Sequence, residues 1–187
     1  MKKITLSILS LLVISIVAMA PIADKYVSTK THIKFFSTTP VEDIEANNYA
    51  AVGTLDASTG DVVFSVPMQS FEFEKALMQE HYNGKDFLST KKFPKAKLTG
   101  KITNLSEVNF AKDGTYNATI DGEMTIKGES KAISEKGSIT VAGGKITVNS
   151  TFDLTLADYG IAFKKGKPAS NIAKTIAVTI VAEYSKQ

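Results

Sequence analysis

The chain has 187 residues, 43% of them hydrophobic and 22% charged, with 22 lysines, no arginine and no cysteine. Without arginine it lacks the preferred bidentate phosphate clamp, and its charges are interspersed, so a broad nucleic-acid footprint is excluded. Without cysteine it has neither disulfide staples nor a lipid-modified cysteine anchor, and only its core can hold it together.

The chain starts with Lys2 and Lys3, then an apolar run, Ile4 to Ala18, interrupted by Thr5, Ser7, Ser10 and Ser15. Ala18-Met19-Ala20 puts small residues where a signal peptidase reads. The reading is a cleaved secretory leader over residues 1–20 and a single domain over 21–187. Pro21 is awkward just after a cut, so the site is fixed only to within a few residues. A retained anchor is the alternative, but the run is short for a membrane span and lacks a stop-transfer flank. Loss of Lys2 and Lys3 leaves 20 lysines against 19 acidic residues, a net charge of about +1. The expected location is periplasmic or secreted, with no stable membrane insertion after cleavage. The mature length is enough for one well-buried core.

Eight extended segments follow, near 31–39, 49–56, 61–72, 95–111, 115–128, 131–142, 145–157 and 174–186. Turn residues separate most of them: Ser58-Thr59-Gly60-Asp61, Asp113-Gly114, Gly128-Glu129-Ser130 and Gly143-Gly144. Strands joined by such short turns are antiparallel neighbours. In the fifth segment Tyr116, Ala118, Ile120, Gly122, Met124 and Ile126 alternate with Asn117, Thr119, Asp121, Glu123, Thr125 and Lys127. A period of two gives a dry face and a wet face, so the even positions should point inward. The rhythm returns in Ile146, Val148, Phe152, Leu154 and Leu156, and in Ile176, Val178, Ile180 and Tyr184. A sheet with one apolar face must cover it or close on itself. The expected fold is all-β, an eight-stranded antiparallel up-and-down barrel, with a two-layer sandwich as the alternative.

Glu74 to Tyr82 breaks the rhythm with helix formers. Leu77, Met78, His81 and Tyr82 share one helical face, and Asn83-Gly84 supplies a stop. This is a short helical cap. Ala157 to Asn171, with Gly160, Gly166 and Pro168, reads as irregular.

Catalytic signals are thin. His32 and His81 are the only imidazoles, and neither lies in a nucleophile or metal motif. His81 is a polar handle over a ligand head group or a structural histidine; Glu80 and Asp86 beside it form an acid pair or a solvated surface. No catalytic residue, metal ligand or cofactor is assigned. The apolar side is richer: Phe64, Met68, Phe71, Phe73, Met78, Phe87 and Phe93 lie close together in sequence. An eight-stranded barrel either fills with side chains or holds one small ligand. Ala118, Gly122, Gly100 and Ser150 stand in phase with the large inward residues and would leave room, although glycine in a strand also marks bends.

The order of motifs resembles one family. Gly53 to Gly60 leads into Val62 to Met68; His81 is separated by five residues from Phe87; Phe93-Pro94 follows. Then come Gly122-Glu123-Met124-Thr125-Ile126-Lys127-Gly128 and, late in the chain, Asp158-Tyr159-Gly160-Ile161. From about Tyr26 to Glu183 the chain resembles the YceI-like polyisoprenoid-binding family of secreted, lipocalin-like barrels. It departs at Thr155-Leu156, where a basic residue is frequent, and at Phe73, where threonine follows a serine such as Ser70. The resemblance implies a non-catalytic barrel whose lumen holds a polyisoprenoid, isoprenoid quinone or similar lipid as ligand. The residues expected at that lipid are Phe64, Met68, Phe71, Met78, His81, Phe87, Tyr116, Ala118, Ile120, Met124, Phe152, Leu154 and Ile180. The alternative is a periplasmic hydrolase or isomerase using His81 and a carboxylate. Oligomeric state is not set by these residues, and a homodimer stays open.

Overall fold

The computed structural model describes residues 24–161, 163–164, 167–168 and 171–187. The expected leader lies outside the described residues, as does part of the irregular stretch after Ala157. The strands are β1 (Lys25–Thr38), β2 (Asp43–Asn48), β3 (Val52–Asp56), β4 (Asp61–Pro67), β5 (Glu72–Phe73), β6 (Lys95–Ile102) and β7 (Gly114–Ile126). They continue with β8 (Glu129–Ala142), β9 (Lys145–Thr155), β10 (Phe163–Lys164), β11 (Lys167–Pro168) and β12 (Thr175–Lys186); one helix, α1, spans Ala76–Asn83.

Eight strands run β1–β3–β4–β6–β7–β8–β9–β12, each antiparallel to the next, and β12 pairs back onto β1 to close the barrel. Closure removes the exposed edges of an open sheet. The pairing of β1 with β12 is long, from Tyr26 opposite Lys186 to Phe36 opposite Ala177, with an irregularity between Ser28 and Lys30.

The second expected strand, near 49–56, is β3, and β2 is an additional strand before it that no expected segment covered. Lys25–Val27 of β1 pair with β3, whereas Ile33–Thr38 pair with β2. Asp43–Asn48 carries Asp, Glu and two Asn, a poor strand composition, so its pairing is imposed by β1 rather than by propensity. Side chains repair the break between β2 and β3. Thr31 Oγ1 donates to the Ala51 carbonyl at 2.7 Å, and the Gly53 N–H donates to Ser28 Oγ at 2.7 Å. Asn48 donates through Nδ2 to the Pro67 carbonyl at 2.9 Å and accepts from the Ala50 N–H at 2.9 Å.

Other boundaries shift for local reasons. β4 stops at Pro67, which cannot donate to a ladder, and a 3-10 turn, Met68–Ser70, follows instead of strand to residue 72. β6 ends at Ile102, not near 111. There Asn104 accepts from the Thr119 N–H at 2.9 Å and donates to the Asn117 carbonyl at 3.0 Å, replacing ladder bonds at the end of the strand. The helical cap lies between β5 and β6, as its composition indicated.

On β7 the alternation holds. Ala118, Met124 and Ile126 are buried and Tyr116, Ile120 and Gly122 half-buried, while Asn117, Asp121 and Glu123 are exposed. A slip of one residue would bury two unpaired carboxylates. The end of the barrel where β9 begins is closely filled: Leu55, Ile102, Ile139, Ile146 and Tyr184 are all at most 2% exposed. The opposite end, where β9 finishes, lies under α1 and the loops beside it.

Candidate apolar binding site

Beneath the cap lies a cavity of about 700 Å³. Its wall takes Ile33 and Phe35 from β1, Phe64 and Val66 from β4, Leu98 from β6, and Met124 and Ile126 from β7. Phe152 and Leu154 of β9 and Ile176, Val178 and Ile180 of β12 complete it. These are alternate residues of their strands, so the pleat alone aims them inward. The roof comes from the excursion between β4 and β6: Met68, Phe71, Phe73, Met78, Tyr82, Phe87 and Leu88.

The roof is an aromatic cluster around one tyrosine. The Tyr82 ring centroid is 4.9 Å from Phe73, 5.7 Å from Phe71, 6.1 Å from Phe35 and 6.3 Å from Phe87. The contact with Phe35 is stacked and the other three are tilted, arrangements that add specific attraction to the area they bury. Burial holds the Tyr82 phenol well above its ordinary pKa, so the group stays protonated.

Polar residues border the cavity as well: Ser37 is buried, Glu42 and Asn171 are half-buried and Lys97 is exposed. Glu80, His81, Lys85 and Asp86 border the cavity but are exposed. The expected apolar face of the helix is therefore narrower than its spacing suggested. Met78 is half-buried and Tyr82 buried, while Leu77 is 62% exposed and His81 faces outward. Among the described residues no hydrogen bond or ion pair links His81 to Glu80 or Asp86, and no three His, Asp or Glu side chains converge as a metal set.

Of the residues expected at the ligand, Phe64, Met68, Phe71, Met78, His81, Phe87, Met124, Phe152, Leu154 and Ile180 all border this cavity. Ala118 and Ile120 do not. They border a separate void of about 60 Å³ deeper in the barrel, which Phe64, Met124, Phe152 and Ile180 also touch. Tyr116 borders neither; its hydroxyl donates to the Lys112 carbonyl at 2.9 Å near the packed end. Gly100 and Gly122 border neither space and do not open the lumen. Ser150 borders the small void, with its hydroxyl bonded to the Lys136 carbonyl at 2.8 Å.

Ile33, Phe35, Tyr82 and Val178 join the site beyond those expected. Val178 shares the parity of Ile180 and was available from that pattern. Phe35 and Phe36 are adjacent, so parity alone cannot say which is inside; the pairing of Phe35 with Val178 decides it.

β8 and β9 pair only between Gly137–Ala142 and Lys145–Ser150, so residues 129–136 of β8 have ladder pairing with β7 alone. Glu135 lies in this parting. Burial, followed by the Asp153 carboxylate, pushes its carboxyl above the ordinary range. The 3-10 turn Leu156–Tyr159 lies against β8, and Lys127 Nζ donates to the Gly160 carbonyl at 2.7 Å.

A closed antiparallel barrel with a helical lid over one apolar end is a specific arrangement, and the sequence family agrees with it over nearly all the described chain: the YceI-like domain matches residues 25–184. The chain belongs to the YceI-like domain family. Solved structures share its fold. A polyisoprenoid-binding domain from Saccharophagus degradans superposes with a TM-score of 0.73 at 13% identity, over 87% of this chain and 98% of that one. BcnA of Burkholderia cenocepacia gives 0.67 at 15% identity, over 82% and 95%. The YceI protein of Campylobacter jejuni gives 0.58 at 20% identity, over 75% and 82%. At these identities the likeness is one of fold. No curated protein matches the chain. In this YceI-like domain the eight-stranded barrel expected from the strand rhythm is present, and its lumen is divided into a filled half and an open half.

Proposed function

We propose that this YceI-like protein binds a long apolar chain of the polyisoprenoid or isoprenoid-quinone type in the capped half of its barrel, and that it does so without catalysis. The observation that carries this is the cavity of about 700 Å³ with an almost wholly apolar wall. Its size is that of a small-molecule site, and its wall suits hydrocarbon. Affinity would come from area: at about 0.3 kcal/mol per heavy atom a long chain gains far more than any one polar contact at the rim. The Saccharophagus degradans relative is described as a polyisoprenoid-binding domain, which supports the same ligand class here. The basic and apolar start of the sequence, with Ala18-Met19-Ala20, supports an exported, periplasmic or secreted carrier.

Native mass spectrometry after mild purification tests the reading. The expected result is a copurified lipid that remains bound in the gas phase. A barrel that emerges empty, and that takes up no prenyl lipid offered in vesicles, overturns it. Because His81 borders the mouth with Glu80 and Asp86, an enzyme acting on the chain is the competing reading. His81→Ala should weaken lipid binding by no more than roughly fivefold, the effect of one exposed hydrogen bond. Turnover of the bound lipid that disappears in this variant would favour the enzyme.

A further inference from the structure

The two spaces in the barrel share a boundary. Phe64, Leu98, Met124, Phe152 and Ile180 border both the cavity of about 700 Å³ and the void of about 60 Å³ beyond it. Three of them form a row across neighbouring strands: Phe64 of β4 pairs with Leu98 of β6, and Leu98 pairs with Met124 of β7. Phe152 and Ile180 come from β9 and β12, which stand opposite β4 and β6 in the closed order of strands. Phe64 is confined, because a Cβ built on Gly53 would come within 2.5 Å of its ring. Behind the row Leu55, Ile102, Ile139 and Tyr184 border the void and are at most 2% exposed. A hydrocarbon tail that passed the row would gain very little space, and passing it means displacing packed side chains, which protein cores resist.

We infer that this row is a floor that fixes the length of apolar chain the barrel takes in, with Phe152 the residue through which that limit is set. This rests on the lipid-binding reading and deepens it: the property selected is chain length. Phe152 is the aromatic member on the wall opposite Phe64, and the two rings together do most to part the spaces. The tail points inward to the floor. The polar end stays at the rim, where Glu80, His81, Lys85 and Asp86 are exposed, because stripping a polar head of its water among apolar side chains is costly. Each isoprene unit that fits above the floor removes apolar surface from water and strengthens binding. A unit that does not fit stays outside the mouth and adds nothing. Affinity therefore climbs with chain length to a limit and then levels off, and a longer chain binds with its excess left outside. A lumen open along its whole length would set no such limit.

Geraniol, farnesol, geranylgeraniol, geranylfarnesol and the much longer solanesol test this, since they share one head group and differ in tail length. Neighbours in the series are offered in pairs, in mixed micelles, and native mass spectrometry reads which one is bound. The proteins are the wild type, Phe152→Ala and Val178→Ala, with thermal unfolding to show that each is folded. In the wild type each added isoprene unit should raise affinity by roughly tenfold or more while the tail fits, and the gain should cease before solanesol. Phe152→Ala should move that limit to a longer prenol. Val178→Ala widens the large cavity without touching the void and should leave the limit in place. Ile180→Ala trims the floor from β12 and puts the same question if Phe152→Ala does not fold. If affinity in the wild type still rises up to solanesol, or if the folded floor variant keeps the wild-type limit, the floor assignment is wrong and the lipid cavity stands. If no prenol binds the wild type, the carrier reading and this inference fall together.

Discussion

Gly100 and Gly122 face each other directly across β6 and β7, and a Cβ built on Gly122 would come within 2.6 Å of the Gly100 Cα. The pair is a close crossing of two backbones. It is not the widening of the lumen that small inward residues suggested, and this is the alternative meaning of glycine in a barrel strand.

Gly122→Ala should therefore destabilise the barrel by about 1–3 kcal/mol, the usual cost of overpacking. The obstructing atoms are backbone, the Thr99 carbonyl among them, and cannot swing aside. Chemical denaturation checks it: the midpoint should fall with the slope unchanged. A midpoint equal to that of the wild type would show that the two strands can separate freely.

Bulk added at two points of the lumen should have opposite consequences. Val178 borders the large cavity, so in Val178→Trp the ring enters open space; the protein should stay folded and lose its lipid. Ala118 is 4% exposed and meets a void of only about 60 Å³. Ala118→Trp should cost about 3 kcal/mol or more, because an indole exceeds that space. Melting temperature and copurified lipid, measured on both variants, separate the two effects. Equal melting temperatures would mean that the deep void yields as readily as the cavity.

Asn48 secures the gap between β2 and β3. It is fully buried and satisfies both the Pro67 carbonyl and the Ala50 N–H. Asn48→Ala leaves these two groups without partners and should cost about 2–4 kcal/mol. Hydrogen exchange at Ala50 should quicken at the same time. A stability loss confined to a few tenths of a kcal/mol would mean that water replaces the amide at no penalty.

Glu135 should make the protein less stable as pH rises. Its folded pKa is raised above the ordinary value, so the fold favours the protonated form. That preference is fully present below the unfolded pKa and is lost as pH climbs through the unfolded and then the folded value. Glu135→Gln should raise the melting temperature at neutral pH and leave it nearly unchanged in acid, where the wild-type carboxyl is already protonated. The effect is modest because the group is largely solvated. A variant that melts below the wild type at neutral pH would show that the carboxylate is stabilising in the parting between β8 and β9.

The faces of β7, β9 and β12 were legible in the sequence because alternation is local: each strand carries its own record of inside and outside. The helical cap and the glycine turns were legible for the same reason, since propensity and turn geometry act over a few residues. β2 was not, because its composition resists strand formation and only the neighbouring Ile33–Thr38 edge of β1 imposes it. Which of Phe35 and Phe36 enters the lumen depended on register with β12. The division of the lumen was also beyond the sequence. Parity says which side chains point inward, but the space left among them depends on the volumes that eight strands bring to the same level. Toward the packed end Leu55, Ile139 and Tyr184 crowd the lumen and leave a void of only about 60 Å³; under the cap the opposing walls stand apart and leave about 700 Å³. The unpaired hydroxyl of Tyr82 belongs to this second kind of fact. A helix pattern could mark Tyr82 as inward, but only the assembled roof shows that no described residue accepts its proton.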